Sequence, residues 1–241
     1  MLKTAILETV LNLLILAPLF FLARRSNKGS FSPRIVLYFV LVYLVSNVLT
    51  SVLAIPLFEG QRFNWAGKGA AALFVILCAF LLPGFRKEQF GLTGDVRWAG
   101  SKPILMICAV YFLLRIALYY FSGEASAAIH GEAVLFQATL PGLHEELLYR
   151  GVLLGLLSAL FLRPSWRFAN VDFGWPAILT SLLFGLSHGI NITGDLDVGV
   201  NYFGLVRTTF DGFLFALLTH RTRSVFPAVI YHNLLNLIGN H

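Results

Sequence analysis

The second half of the chain sets acids, imidazoles, an arginine and an amide inside otherwise apolar runs. His144-Glu145-Glu146-Leu147-Leu148-Tyr149-Arg150-Gly151 places two adjacent carboxylates ahead of the apolar stretch Val152 to Leu162. Phe184-Gly185-Leu186-Ser187-His188 sets an imidazole one helical turn after an aromatic ring. His232-Asn233-Leu234-Leu235-Asn236 sets an imidazole and an amide four residues apart, on one helix face. Neighbouring residues on a helix project about 100° apart, so Glu145 and Glu146 cannot share one task. Glu146 and Arg150, four apart, can pair, and a buried arginine needs such a partner. Glu145 is then left without a local cation. An apolar setting disfavours the charged form of a carboxylate, which suits it to take up a proton as a general base. A carboxylate with two imidazoles can activate water, polarise a carbonyl or hold a metal.

Each fragment also has a plainer reading. A lone histidine on an apolar helix is more often a packing residue with a hydrogen-bond partner. His232 and Asn236 would serve equally well as a contact between helices. Together the three fragments favour function, because ionisable groups in apolar spans are costly. Helices that must bury polar faces do so at least cost in one shared site. His144-Glu145 begins like the HExxH zinc helix, but position 148 is leucine, so that motif is absent.

The elements that must position these groups follow from composition. The chain has 241 residues, 57% hydrophobic and 12% charged, against about 25% charged in a soluble domain. Apolar stretches of about 17–25 residues, enough to cross roughly 30 Å of hydrocarbon, recur from end to end. The expected fold class is all-α, a polytopic transmembrane helical bundle. Eight spans are expected near 5–23, 35–55, 67–84, 102–121, 129–161, 176–190, 199–219 and 225–239. The fifth is either one long helix or a short helix joined to a longer one at Pro141. The sixth and eighth are short, which suggests enclosure by other helices. The chain reads as a single integral membrane domain, 1–241, with N-terminal helices over 1–125 and motif-bearing helices over 126–241.

The net charge of +6 is spread over the breaks between spans, where it sets topology and does not signal nucleic-acid binding. The odd breaks are basic: Arg24, Arg25, Lys28 and Arg34; then Arg86, Lys87, Arg97 and Lys102 against Glu88 and Asp95; then Arg163 and Arg167 against Asp172; then Arg221 and Arg223. The even breaks are poorer in base: Glu59 with Arg62 and Lys68, Glu124 with Glu132, Asp195 with Asp197. The odd breaks are therefore expected in the cytoplasm, with both termini outward. Glu8 in the first apolar run, and the arginines after it, mark a first span and not a cleaved signal.

Cys78 and Cys108 lie in apolar runs and read as small hydrophobes. Gly151 and Gly155 suggest close helix packing. Arg207 and Asp211, four apart, suggest an intramembrane pair near the site. Arg115 is expected to snorkel or to pair with an acid such as Glu8. Glu132 and His130 are expected to be solvated at a membrane edge.

The motifs EExxxR, FxxxH and HxxxN, in that order in a polytopic chain, resemble the CAAX-protease and bacteriocin-processing (CPBP) family of intramembrane proteases. They stand here as Glu145-Glu146…Arg150, Phe184…His188 and His232…Asn236, and every signature position matches. The resemblance implies an endopeptidase that cuts a hydrophobic or lipid-modified peptide or protein in the bilayer. It implies that Glu145 activates the attacking water with His188 beside it, and that His232 and Asn236 stabilise the oxyanion. Glu146 and Arg150 would hold the site's geometry, with Phe184 and Tyr149 as supporting side chains. Family members have been described both as glutamate proteases and as metalloproteases. No cofactor is demanded here; a divalent metal such as zinc, if bound, would be held by Glu145, His188 and His232. The metal-free route is favoured. The expected location is a prokaryotic cell (inner) membrane. Two other classes compete: a non-catalytic immunity or binding protein, and a proton-coupled transporter using the buried Glu, His and Arg as its path. Intact motifs count against the first; clustering of the polar residues in one half, without a repeat, counts against the second.

Overall fold

The structure, a computed structural model, describes residues 1–27, 31–53, 61–122, 131–163 and 165–238; Lys28, Glu59, Glu124 and His130 lie outside these. Helices dominate. The first four are α1 (Leu2–Arg25), α2 (Pro33–Val52), α3 (Trp65–Leu81) and α4 (Lys102–Phe121), with a 3₁₀ turn at Lys87–Phe90 before α4. Next come α5 (Gly131–Gln137), α6 (Leu140–Glu146), a π-helical segment (Leu147–Leu153) and α7 (Leu154–Leu160). The chain closes with α8 (Trp175–Gly189), α9 (Tyr202–Thr222) and α10 (Phe226–Asn236). Proline stands in the first turn of α2, α4, α6, α8 and α10, where its missing N–H costs nothing. Asn64 caps α3 by accepting from Gly67 N, and Asn201 caps α9 by accepting from Gly204 N, both at 2.8 Å.

Among the described residues three helices, α1, α2 and α4, are long and apolar enough to cross a membrane; α3 is apolar but shorter, at 17 residues. The three bury little of themselves in the bundle and leave side chains such as Leu14, Phe21, Val110 and Leu113 exposed. An apolar surface on this scale needs an apolar solvent. The fifth expected span is a short helix joined to a longer one: α5 stops at Gln137 and α6 restarts with Pro141 in its first turn. From Leu147 to Leu157 every residue is buried, so this rod forms the core. Both short spans expected to be enclosed, α8 and α10, bury most of their residues; α10 departs from the expectation only along one side, where Phe226, Ile230 and Leu234 form an exposed stripe.

The all-α expectation needs amending at two breaks. β1 (Ser165–Phe168) pairs antiparallel with β2 (Val171–Gly174), and β3 (Ile190–Ile192) with β4 (Val198–Val200). The first hairpin turns on Ala169 and Asn170, both at positive φ (49° and 61°), the left-handed pair that a tight two-residue hairpin turn requires.

The alternation of breaks has a structural counterpart. Asn27 accepts from Leu162 N and Arg163 N, each at 2.8 Å, which joins the first break to the fifth. Val225 N donates to Gly91 O at 3.0 Å and Arg97 N to Thr222 O at 2.9 Å, which joins the third to the seventh. Two links join segments expected at the other end. Glu132 accepts from Arg62 N at 3.1 Å and from the Trp65 indole at 3.1 Å, and Glu8 accepts from Ile192 N at 2.6 Å. Glu132 is therefore hydrogen-bonded to the start of α3 and is not simply solvated. Gly151 and Gly155 do allow a close approach, but of the 3₁₀ turn and not of a helix. A Cβ on Gly155 would stand 2.5 Å from Phe90 Cδ1.

Candidate active site

Glu145 and Glu146 end α6, and the π-helical segment begins at the next residue. Single π turns of this kind recur at functional sites. Glu146 is fully buried and meets Arg150 through both oxygens: Nε to Oε2 at 3.2 Å and Nη1 to Oε1 at 3.4 Å. The guanidinium also stacks over Phe184, 4.4 Å from the ring centroid. Gly212 on α9 gives it room, since a Cβ there would lie 2.5 Å from Arg150 Nη2. The pairing expected from the spacing is present, and it extends across helices. His232 Nδ1 lies 2.7 Å from Glu146 Oε1, so the carboxylate that anchors Arg150 also orients the imidazole of α10.

His188 is pinned in the same way. Its Nδ1 lies 2.8 Å from the carbonyl oxygen of Phe184. A carbonyl or carboxylate only accepts, so both rings carry a proton on Nδ1 and turn Nε2 inward. Both Nε2 atoms face one oxygen: Glu145 Oε2 is 3.4 Å from His188 and 3.8 Å from His232. Glu145, Phe184, His188, His232 and Asn236 all line one cavity of about 260 Å³. Tyr149 stands behind it; its hydroxyl donates to Ser187 Oγ at 2.8 Å, and its ring meets Phe184 edge-on.

Glu145 is not left without a cation. Lys68 Nζ of α3 is ion-paired with Glu145 Oε1, which corrects the expectation of an unpartnered carboxylate. Lys68 was placed in an outer break by its charge. The overlooked signal was local: Lys68 sits between Gly67 and Gly69 at the head of an apolar helix, where a long side chain reaches inward over small neighbours. In a double-mutant cycle, Lys68→Met and Glu145→Gln are each expected to destabilise the chain. The double variant should recover about 1–3 kcal/mol of the summed loss, as in directly coupled pairs. Strict additivity of the melting shifts would mean that the pair carries no weight.

Two further residues were missed. Asn233, and not its motif neighbour Asn236, ties α10 to α6: Gly142 N donates to its Oδ1 at 2.9 Å, and its Nδ2 donates to Thr139 O at 3.1 Å. His144 shares a hydrogen bond with Ser46 Oγ of α2 at 2.9 Å. The cavity wall also holds Arg115, Arg207 and Asp211. Arg207 pairs with Asp211 at 3.7 Å as expected, but Arg115 pairs with Asp211 too, at 3.4 Å, and not with Glu8. Tyr111 donates to the same carboxylate at 2.6 Å.

Among the described residues no group of three or more His, Cys, Asp or Glu is arranged to hold a metal ion. Of the potential ligands, Glu145 already carries the Lys68 ammonium on one oxygen, which opposes a second cation on the other.

No curated protein and no solved structure matches the chain. One family model does match, over residues 132–238: Rce1-like, the type II CAAX prenyl endopeptidases. Its range contains both carboxylates, both pinned imidazoles, Arg150 and Asn236. The second half of this chain, from residue 132 to 238, thus carries an Rce1-like type II CAAX prenyl endopeptidase domain, of a protease family.

Proposed function

We propose that this protein is a multi-pass intramembrane endopeptidase that hydrolyses a peptide bond of a hydrophobic or lipid-modified substrate, with Glu145 as general base. The observation that carries the reading is the convergence of two Nδ1-pinned imidazoles on Glu145 Oε2 in one cavity that also holds Asn236. In this mechanism a water donates to Glu145 Oε2 and lies against His188. Its oxygen attacks the scissile carbonyl carbon while its proton passes to Glu145. The C–O π pair moves onto the carbonyl oxygen. That oxyanion accepts hydrogen bonds from Asn236 Nδ2 and from His232 Nε2–H, the latter as an imidazolium held by Glu146. When the C–N bond breaks, Glu145 returns the proton to the leaving amine.

The Lys68 ammonium favours the metal-free route, because it already supplies Glu145 with the counter-charge that a dication would bring. In this proposal the chain makes eight crossings with the odd breaks cytoplasmic; the charge alternation and the joining of those breaks at one end support it.

The test is cleavage of hydrophobic and prenylated peptides by the purified full chain in lipid, with and without a chelator. Asn236→Ala should lower kcat by about 10²–10³-fold, the usual cost of one oxyanion donor. Native activity should survive chelation; loss that zinc restores would assign Glu145, His188 and His232 as metal ligands instead. No cleavage of any peptide by the native chain would sink the endopeptidase reading and favour a binding or immunity role.

A further inference from the structure

At the end of the bundle where the third, fifth and seventh breaks meet lies a second cavity, of about 650 Å³. It is separate from the Glu145 cavity and shares no lining residue with it. Five arginines line it (97, 150, 167, 221 and 223) against two carboxylates, Glu88 and Asp172. Asp172 is matched by Arg167 at 3.7 Å, and Arg150 by Glu146 outside the cavity. Arg97, Arg221 and Arg223 thus face Glu88 alone as the remaining lining charge.

The hydrogen-bonding balance points the same way. Besides Arg150 Nε, which faces Glu146 Oε2, four buried polar atoms of lining residues have no hydrogen-bond partner: Arg150 Nη2, Thr219 Oγ1, His220 Nε2 and Arg221 Nε. Buried polar atoms are rarely orphaned. Three of these are obligatory or ready donors, and His220 Nε2 becomes one in the Nε2–H tautomer. A wall of unmatched donors with excess positive charge lacks acceptor oxygens. Arg97, Arg167 and Arg223 are exposed and rim the cavity, while Arg150 is buried in its wall.

We propose that this cavity binds a phosphate-bearing anion, either free phosphate or the headgroup of an anionic phospholipid. Phosphate oxygens accept from guanidinium forks with matched geometry. The site lies at the end of the bundle where the basic breaks gather, the end that the charge alternation sets beside the anionic leaflet. The inference is independent of the protease reading, because it uses none of the residues that would touch the scissile bond.

The experiment is a melting curve of the full chain in maltoside detergent and phosphate-free chloride buffer, with inorganic phosphate or phosphatidylglycerol added in separate arms. The native chain should gain about 5 °C at saturation in at least one arm. Arg97→Gln/Arg223→Gln should lose that gain while melting normally without ligand. A shift in the phosphatidylglycerol arm alone identifies a lipid headgroup, and one in the phosphate arm a free anion. No shift in either arm, or an equal shift in the double variant, overturns the proposal. Should the double variant fail to fold, Thr219→Val decides: it removes one orphan donor at nearly constant volume, and an undiminished shift is equally fatal.

Discussion

Glu145→Gln is expected to lower the cleavage rate by about 10²–10⁴-fold, the range for loss of a positioned general base. The amide keeps the shape of the carboxylate; its oxygen still accepts from Lys68 and its NH2 donates to an imidazole Nε2, so the fold should persist. What it loses is the ability to take a proton from water and return it to the amine. The loss should therefore appear in kcat, with KM nearly unchanged, because the residue acts on the reacting atoms and not on substrate binding. The measurement is turnover of one hydrophobic peptide by both proteins in the same lipid, with melting curves beside it. Equal turnover would remove Glu145 from the chemistry. A folded but inactive variant that still binds peptide would establish its role.

Arg150→Met is expected to cost about 3–5 kcal/mol of stability and to remove activity with it. The guanidinium is buried to 1% exposure, and Glu146 beside it to none. Removing the cation leaves Glu146 as a buried charge whose remaining partner is His232. Breaking one side of a buried pair carries that cost, because the surviving charge keeps its desolvation penalty. Lysine should not rescue it, since an ammonium cannot meet both carboxylate oxygens while stacking on Phe184. Glu146→Leu combined with Arg150→Met should be more stable than Arg150→Met alone, yet remain inactive because His232 has lost its anchor. Melting temperature and turnover, taken together, separate the two roles. A double variant that melts low but cuts normally would show that Glu146 does not orient His232.

The π-helical segment explains part of this arrangement. It opens immediately after Glu146 and carries Arg150 in its middle, where the extra residue per turn shifts the phase of later side chains. The guanidinium still reaches Glu146 four residues back, while Tyr149 turns to Ser187 and Phe184 on α8. Helical spacing alone foresaw the first of these contacts and had no means of foreseeing the second.

Local periodicity in the sequence determined the contacts within single helices. Glu146 with Arg150 and Arg207 with Asp211 are both four apart and both paired. Apolar run length placed the helices, and the prolines marked where five of them begin. The motif order singled out Glu145, His188, His232 and Asn236, which line one cavity. Tertiary structure alone decided which group from another helix meets each of them. Lys68 reaches Glu145 across 77 positions, His232 reaches Glu146 across 86, and Arg115 reaches Asp211 across 96. A helix fixes neighbours through its own geometry, whereas a charge in an apolar bundle accepts any counter-charge the packing brings near. Lys68 and Arg62 therefore look alike as break residues. Only the seating of α3 against α6 distinguishes the ammonium that enters the site from the charge that stays at the edge.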